Sequence, residues 1–277
     1  MKYSYKDFEK MYAVIRSLTT FQPKIGAVLG SGLGDFANNI DIVKTIPYKD
    51  IPGIPLSTNK AHKGQFVFGY FEGIPVVLMQ GRIHCYEGYT SEEAVVPVRL
   101  MCMMGISKLI LTNAAGSVKP ENKAGSLMII SDHIASLMPS PLFGENIEEF
   151  GTRFPDMSDV YNKKLSDLIF EEGKRLSLPV CKGVYMQFPG PQFETKAEVK
   201  MAGILGASAC GMSTAIEAIA SNHMGVKTVG ISLLTNMAAG VTDQKLSDDE
   251  VLVTAKKSEK DITELFKATI RILATNE

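Results

Sequence analysis

Residues 188–213 read FPGPQFETKAEVKMAGILGASACGMS, and their punctuation decides the architecture of the chain around them. A strand over Gly183 to Phe188 runs into Pro189, Gly190 and Pro191, which hold the backbone out of regular structure. Thr195-x-x-Glu198 is a capping box that launches an apolar helix stopping at Gly203 or Gly206. A short strand, Ala207 to Cys210, ends at Gly211-Met212-Ser213, and Thr214 to Met224 reads as a further helix. Phe193 and Glu194 therefore lie on a loop between fixed elements, where binding residues concentrate. An aromatic face beside a carboxylate suits a flat heterocycle carrying N–H donors. Taken alone, the pair is better read as a surface acid next to a buried ring, so a functional meaning depends on what converges with it.

The same alternation extends outward. Towards the N-terminus, Tyr5, Phe8, Tyr12, Ile15 and Leu18 mark an amphipathic helix. Ile25–Leu29 is a buried strand broken by the glycine-rich loop Gly30–Gly34, and Phe66–Phe71 and Pro75–Gln80 form a hairpin turning at Glu72-Gly73. Thr90-x-x-Glu93 caps a helix to about Met104, with Pro97 as a point of kinking. Lys108–Leu111 is a strand feeding the loop Thr112–Gly116, and Leu127–Ile130 a strand leading to Asp132-His133. Residues 139 to about 159 are irregular, and an irregular stretch of that length in a compact chain is usually functional. Leu165, Leu168, Ile169 and Leu176 mark the next helix. Thr228–Leu234 is a strand ending at Thr235-Asn236, and Ser247-x-x-Glu250 caps a C-terminal helix with Ile262, Leu265, Phe266, Ile270 and Leu273 inward. No polar linker, repeat or low-complexity segment interrupts the pattern. The expectation is a single α/β domain over residues 1–277, with a mixed, twisted sheet flanked by helices.

Composition narrows the function. A chain of 277 residues, 45% hydrophobic, can bury a substantial core. A net charge of −1 gives no reason to expect nucleic acid or an anionic membrane as partner. Cys85, Cys102, Cys181 and Cys210 are scattered without a C-x-x-C pair, so neither a metal site nor a disulfide framework is indicated. With no signal peptide and no apolar run of spanning length, the expected location is the cytoplasm.

Polar residues recur at the C-terminal ends of the expected strands: Ser31, Arg82 with His84, Asn113, Glu194, Ser213 and Asn236. Open α/β sheets bind ligands at that edge. The Gly30–Gly34 loop offers backbone N–H groups and a hydroxyl to an anion, and Arg82 can grip two oxygens of a phosphate. Singly, each has a plainer reading: a tight turn, a solvated charge, a satisfied histidine. Jointly they favour an anion site. The dinucleotide fingerprint G-x-G-x-x-G fails because Asp35 stands where its last glycine would be. Gly211-Met212-Ser213-Thr214-Ala215 approaches a hydrolase nucleophile elbow, but the last histidine, His223, lies only ten residues beyond Ser213, inside the expected helix.

The motifs GSGLG (30–34), GRIHCYEGY (81–89), TNAAG (112–116), RFPDMSD (153–159), GPQFET (190–195), GMST (211–214) and LLTN (233–236) together resemble the trimeric-type purine nucleoside phosphorylases, in the family's order and over nearly the whole chain. The resemblance implies reversible phosphorolysis of inosine- or guanosine-type (deoxy)ribonucleosides to base and pentose 1-phosphate, for purine salvage in a homotrimer. It implies no metal and no organic cofactor, phosphate being a substrate. It implies that Ser31, His62, Arg82, His84, the Ala114 backbone and Ser213 hold phosphate. Phe193, Glu194, Thr235 and Asn236 would hold the purine, with His84, Glu194 and Asn236 as the catalytic set. Tyr86 and Met212 would flank the ribose, and Phe150, in the long loop, resembles the aromatic that the family sends into a neighbouring subunit's ribose site.

Two positions depart from the pattern: Met237, where some relatives carry Lys, and Asp248, where many carry a His to the ribose 5′-hydroxyl. The related methylthioadenosine phosphorylases carry acids in the segment where this chain has Asn236 and Ala238, and are the alternative within the fold. A non-catalytic nucleoside- or phosphate-binding protein is the alternative from another class.

Overall fold

A computed structural model describes residues 2–30, 32–59, 63–243 and 245–276. The strands are β1 (Ile25–Leu29), β2 (Asp41–Pro47), β3 (Gln65–Phe71), β4 (Ile74–Gln80), β5 (Lys108–Ser117), β6 (Leu127–Ile134), β7 (Val180–Gln187), β8 (Ala209–Gly211) and β9 (Lys227–Met237). The helices are α1 (Tyr5–Leu18), α2 (Ser91–Ala94), α3 (Val96–Met103), α4 (Lys163–Arg175), α5 (Lys196–Ile204), α6 (Ala215–His223), α7 (Asp248–Lys257) and α8 (Glu259–Thr275). All strands join one mixed sheet in the order β2-β3-β4-β1-β5-β8-β7-β6-β9, and β9 also pairs with β5. The last pairing closes β5, β8, β7, β6 and β9 into a ring, with β1, β4, β3 and β2 extending from β5 as an open wing.

Helices cover both faces, which explains the continuous apolar runs of the central strands. Val28, Val77 and Met79 face α1, α3 and α6, packing with Phe8, Ile15, Val98 and Ile216. Their neighbours Ala27, Leu29, Val76 and Leu78 face the other way, against Leu165 and Ile169 of α4 and Phe266 and Ile270 of α8. This is the period of two that a strand imposes. No helix among the described residues is long and apolar enough to cross a membrane.

The expected α/β order holds, with corrections in detail. β5 does not end at Leu111, nor β9 at Leu234: both run on to Ser117 and Met237, paired with each other past a bulge between Ala115 and Gly116. Asn113, Ala114 and Asn236 thus sit inside strands rather than on loops after them. The helix expected over 90–104 is two, parted at Val95, with Pro97 in the first turn of α3 where a missing N–H is harmless. The C-terminal helix is also two, parted at Ser258. The edge strand β2 carries half-exposed residues without clean alternation and was not expected.

Candidate active site

The closed ring and the start of the wing border a cavity of about 380 Å³. It brings together Arg82, His84, Tyr86, Ala114, Phe193, Glu194, Met212, Ser213, Thr235 and Asn236. Ser31 and His62, also expected there, lie outside the described residues.

The glycine-rich loop leaves β1 hard against β5. Gly30 N–H donates to Thr112 Oγ1 at 2.9 Å, and a Cβ on Gly30 would lie 2.5 Å from the Thr112 carbonyl oxygen. Only glycine permits that approach. Beyond β4, Arg82 is 2% exposed and lies against Glu217 of α6. His84 stacks on Tyr86, ring centroids 4.6 Å apart, and its backbone N–H donates to Glu87 Oε1 at 2.8 Å, with its Nδ1 3.3 Å from the same oxygen. Burial pushes the His84 imidazole below its ordinary 6.5, the Glu87 contact offsetting this only in part, so the ring is uncharged at neutral pH. Burial opposes ionisation of Glu87 too, but hydrogen bonds from His84 and Thr58 outweigh it and hold the carboxylate well below its usual range.

Ser213 and Thr214 form the turn between β8 and α6. Thr214 adopts φ 82°, a left-handed conformation that a β-branched residue takes up only under strain. Asn113 Nδ2 donates to Thr214 Oγ1 at 2.8 Å, and Ser213 Oγ lies 3.1 Å from the same hydroxyl. The strained turn sets Ser213 in the cavity wall, while the first N–H groups of α6 are engaged inside the protein, Ala215 N–H with Ser213 O at 3.0 Å and Ile216 N–H with Gln187 Oε1 at 3.2 Å.

Thr195 Oγ1 accepts from Glu198 N–H as the capping box requires, and the loop before it delivers Phe193 and Glu194 to the cavity. Glu194 is 8% exposed, and its Oε1 has no hydrogen-bond partner among the described residues. Burial raises its pKa, a contact with the Cys210 thiol countering this only partly. Asn236, on β9, accepts from Thr235 Oγ1 at 3.0 Å and donates one amide hydrogen to Met237 O at 3.2 Å. The Met237 carbonyl, which can only accept, fixes which end of the amide is the donor, and the second amide hydrogen is left for a ligand.

Phe150, expected to reach a neighbouring subunit, packs here against its own chain. Its ring is 4% exposed in its own chain's core, 4.9 Å from the Phe8 ring and 4.8 Å under the Arg99 guanidinium. Four residues on, Phe154 is 86% exposed. Sequence reasoning also missed Glu87, signalled by its i+3 spacing from His84, and Glu217 and Val251, which carried no local signal. The side chain of Asp248 lies outside the description; Val251, one turn along α7, borders the cavity.

Fold and cavity together gather hydrogen-bond donors and a buried carboxylate–amide pair at one place, and comparisons with known proteins give the chain a class. Residues 24–271 match the model of the phosphorylase superfamily. Purine nucleoside phosphorylase 1 of Bacillus subtilis is 47% identical over 262 residues, 95% of this chain and 97% of that one. A Schistosoma purine nucleoside phosphorylase solved with hypoxanthine superposes with a TM-score of 0.90 at 36% identity, over 96% of this chain and 97% of that chain. The Schistosoma mansoni protein solved with adenosine matches with the same TM-score, 0.90, and the same 36% identity, over 96% and 97% of the two chains. The chain belongs to the phosphorylase superfamily and, within it, to the purine nucleoside phosphorylase family.

Proposed function

We propose that this enzyme catalyses reversible phosphorolysis of 6-oxopurine nucleosides, inosine and guanosine with their 2′-deoxy forms, to the free base and (deoxy)ribose 1-phosphate. The observation that carries the reading is the meeting of anion donors and base-reading groups in one cavity: Arg82, His84 and Ser213 with Glu194 and Asn236.

In this reading Arg82, Ser213, the Ala114 backbone and His84, with Ser31 and His62, hold phosphate beneath the anomeric carbon. A phosphate oxygen forms the new C–O bond as the C–N bond breaks, and the electron pair of that bond passes to the purine. Asn236 donates its spare amide hydrogen to N7, and ionised Glu194 accepts from N1–H, so the charge arriving on the base meets fixed partners. Phe193 and Thr235 bound the base, and Tyr86 and Met212 the sugar. Phosphate is itself the nucleophile, and no step draws on a metal or an organic cofactor. We assign the working particle as a homotrimer in the cytoplasm, and the aromatic lent to a neighbour's ribose pocket as Phe154 in place of Phe150. The methylthioadenosine alternative fits less well, because Asn236 supplies an amide where those enzymes are read as carrying an acid.

The test is incubation with inosine, guanosine or adenosine, with and without phosphate. Hypoxanthine and ribose 1-phosphate should form from inosine only when phosphate is present; release independent of phosphate would make the protein a hydrolase. No release would leave a binding protein. Adenine lacks N1–H, and leaving buried polar groups unpaired costs about 1–3 kcal/mol each. Because a relative has been solved with adenosine, the discrimination is expected in turnover more than in occupancy. Adenosine turned over as fast as inosine would remove the roles given to Glu194 and Asn236.

A further inference from the structure

Glu217 is a carboxylate 2% exposed, in the first turn of α6, four residues beyond Ser213. It accepts from Arg82 along one edge of the guanidinium: Nε donates to Oε1 at 3.0 Å and to Oε2 at 3.1 Å, and Nη2 to Oε2 at 2.8 Å. Nη1 donates to the Thr112 carbonyl oxygen at 2.9 Å. A guanidinium has five N–H groups in a rigid plane. The carboxylate consumes the Nε–Nη2 edge and Thr112 one hydrogen of Nη1. That leaves one N–H on each terminal nitrogen of a side chain that borders the cavity.

We propose that Glu217 is a positioning residue for the anion site, holding Arg82 by its side edge so that the terminal nitrogens are offered to phosphate. The proposal rests on the cavity being the phosphate site. Two further features follow from the same contacts. The ion pair cancels the charge of Arg82, so phosphate is held by aimed N–H groups more than by net charge. Ser213 lies just before Thr214 and Glu217 in the first turn of the helix after it, so the strained Thr214 turn sets both ends of the anion site together.

Glu217→Gln keeps the shape but sets an amide N–H against a guanidinium N–H; Glu217→Asp is one methylene too short. Each should raise the phosphate KM about ten- to a hundredfold, the effect of one charge-assisted contact, while the nucleoside KM stays within about twofold. Calorimetric titration with inorganic phosphate should show the same loss without reference to catalysis. A folded variant with wild-type phosphate affinity overturns the proposal, as does an equal rise in both KM values, which a purely structural ion pair would give. Wild-type protein that cleaves no nucleoside but binds phosphate through Glu217-dependent contacts would overturn the proposed reaction and leave this assignment standing; wild-type protein that binds no phosphate overturns both. Should neither variant fold, a crystal structure of the wild type with phosphate decides. Oxygens on Nη1 and Nη2 with Nε still on Glu217 are expected, and phosphate on the Nε edge with Glu217 displaced is the contrary result.

Discussion

Glu194 holds a buried oxygen without a partner among the described residues, in a place where burial raises its pKa. A carboxyl whose folded pKa is raised binds its proton more tightly folded than unfolded, so as an ion it opposes folding above that value and the penalty fades as pH falls. Function runs the opposite way: the proposed contact to N1–H needs the ion. The acid limb of kcat/KM for inosine should therefore lie above the ordinary carboxyl value of 4.5 and be absent from Glu194→Gln, which should also be slower at neutral pH. A pH–rate profile of both proteins checks this; an unchanged acid limb in the variant would assign it to another group. At this scale the sequence was legible where a residue's role is carried by its neighbours in the chain, as with Phe193-Glu194 and Thr235-Asn236. It was silent on Glu217, 135 residues from Arg82, because only the folded path of α6 brings the two together. Phe150 and Phe154 both follow one another in the same irregular stretch, and only burial tells them apart.

Among the elements, the capped helices were the easiest to read, since Thr90 and Thr195 announce their starts through side-chain hydrogen bonds made within four residues. The ends of β5 and β9 were not. Thr112–Ser117 is a run of small residues with no apolar alternation, and it stays extended because β9 pairs with it beyond the bulge. Long-range partners leave no local mark. The junction of β1 with β5 makes a sharp prediction. In Gly30→Ala the new methyl would press on the Thr112 carbonyl oxygen and the Asn113 Cα at 2.5 and 2.8 Å, backbone atoms that cannot turn aside. Overpacking of that kind costs about 1–3 kcal/mol, and here it also pushes the glycine-rich loop, proposed to hold phosphate, away from β5. The variant should melt lower and show a raised phosphate KM; equal stability and KM would mean that β1 and β5 can part more easily than their pairing suggests.

For the whole molecule, assembly separates two aromatic residues of the long loop. Phe150→Ala removes a core ring packed by Phe8 and Arg99 and should cost about 3–5 kcal/mol of stability. Phe154→Ala touches a residue 86% exposed and should leave the protomer's stability within about 0.5 kcal/mol while raising the nucleoside KM of the assembled enzyme. Thermal unfolding and steady-state kinetics of the two variants decide; a Phe154 variant with unchanged nucleoside KM would remove it from the neighbour's pocket. The α/β class and the flanking helices could be read from the chain's alternation, but the closure of the sheet could not, since β9 meets β5 across more than a hundred residues. That closure has a consequence for how the molecule meets other chains. A ring of strands has no hem, so the strands that carry Asn113 and Asn236 offer no unpaired backbone on which a foreign strand could grow. Among the described residues the one open border of the sheet is β2, on the far side of the wing, where Ile42 and Val43 face outward. There a bulge between Ile42 and Lys44 breaks the line of amides, and the lysine adds a charge that an incoming strand would have to bury.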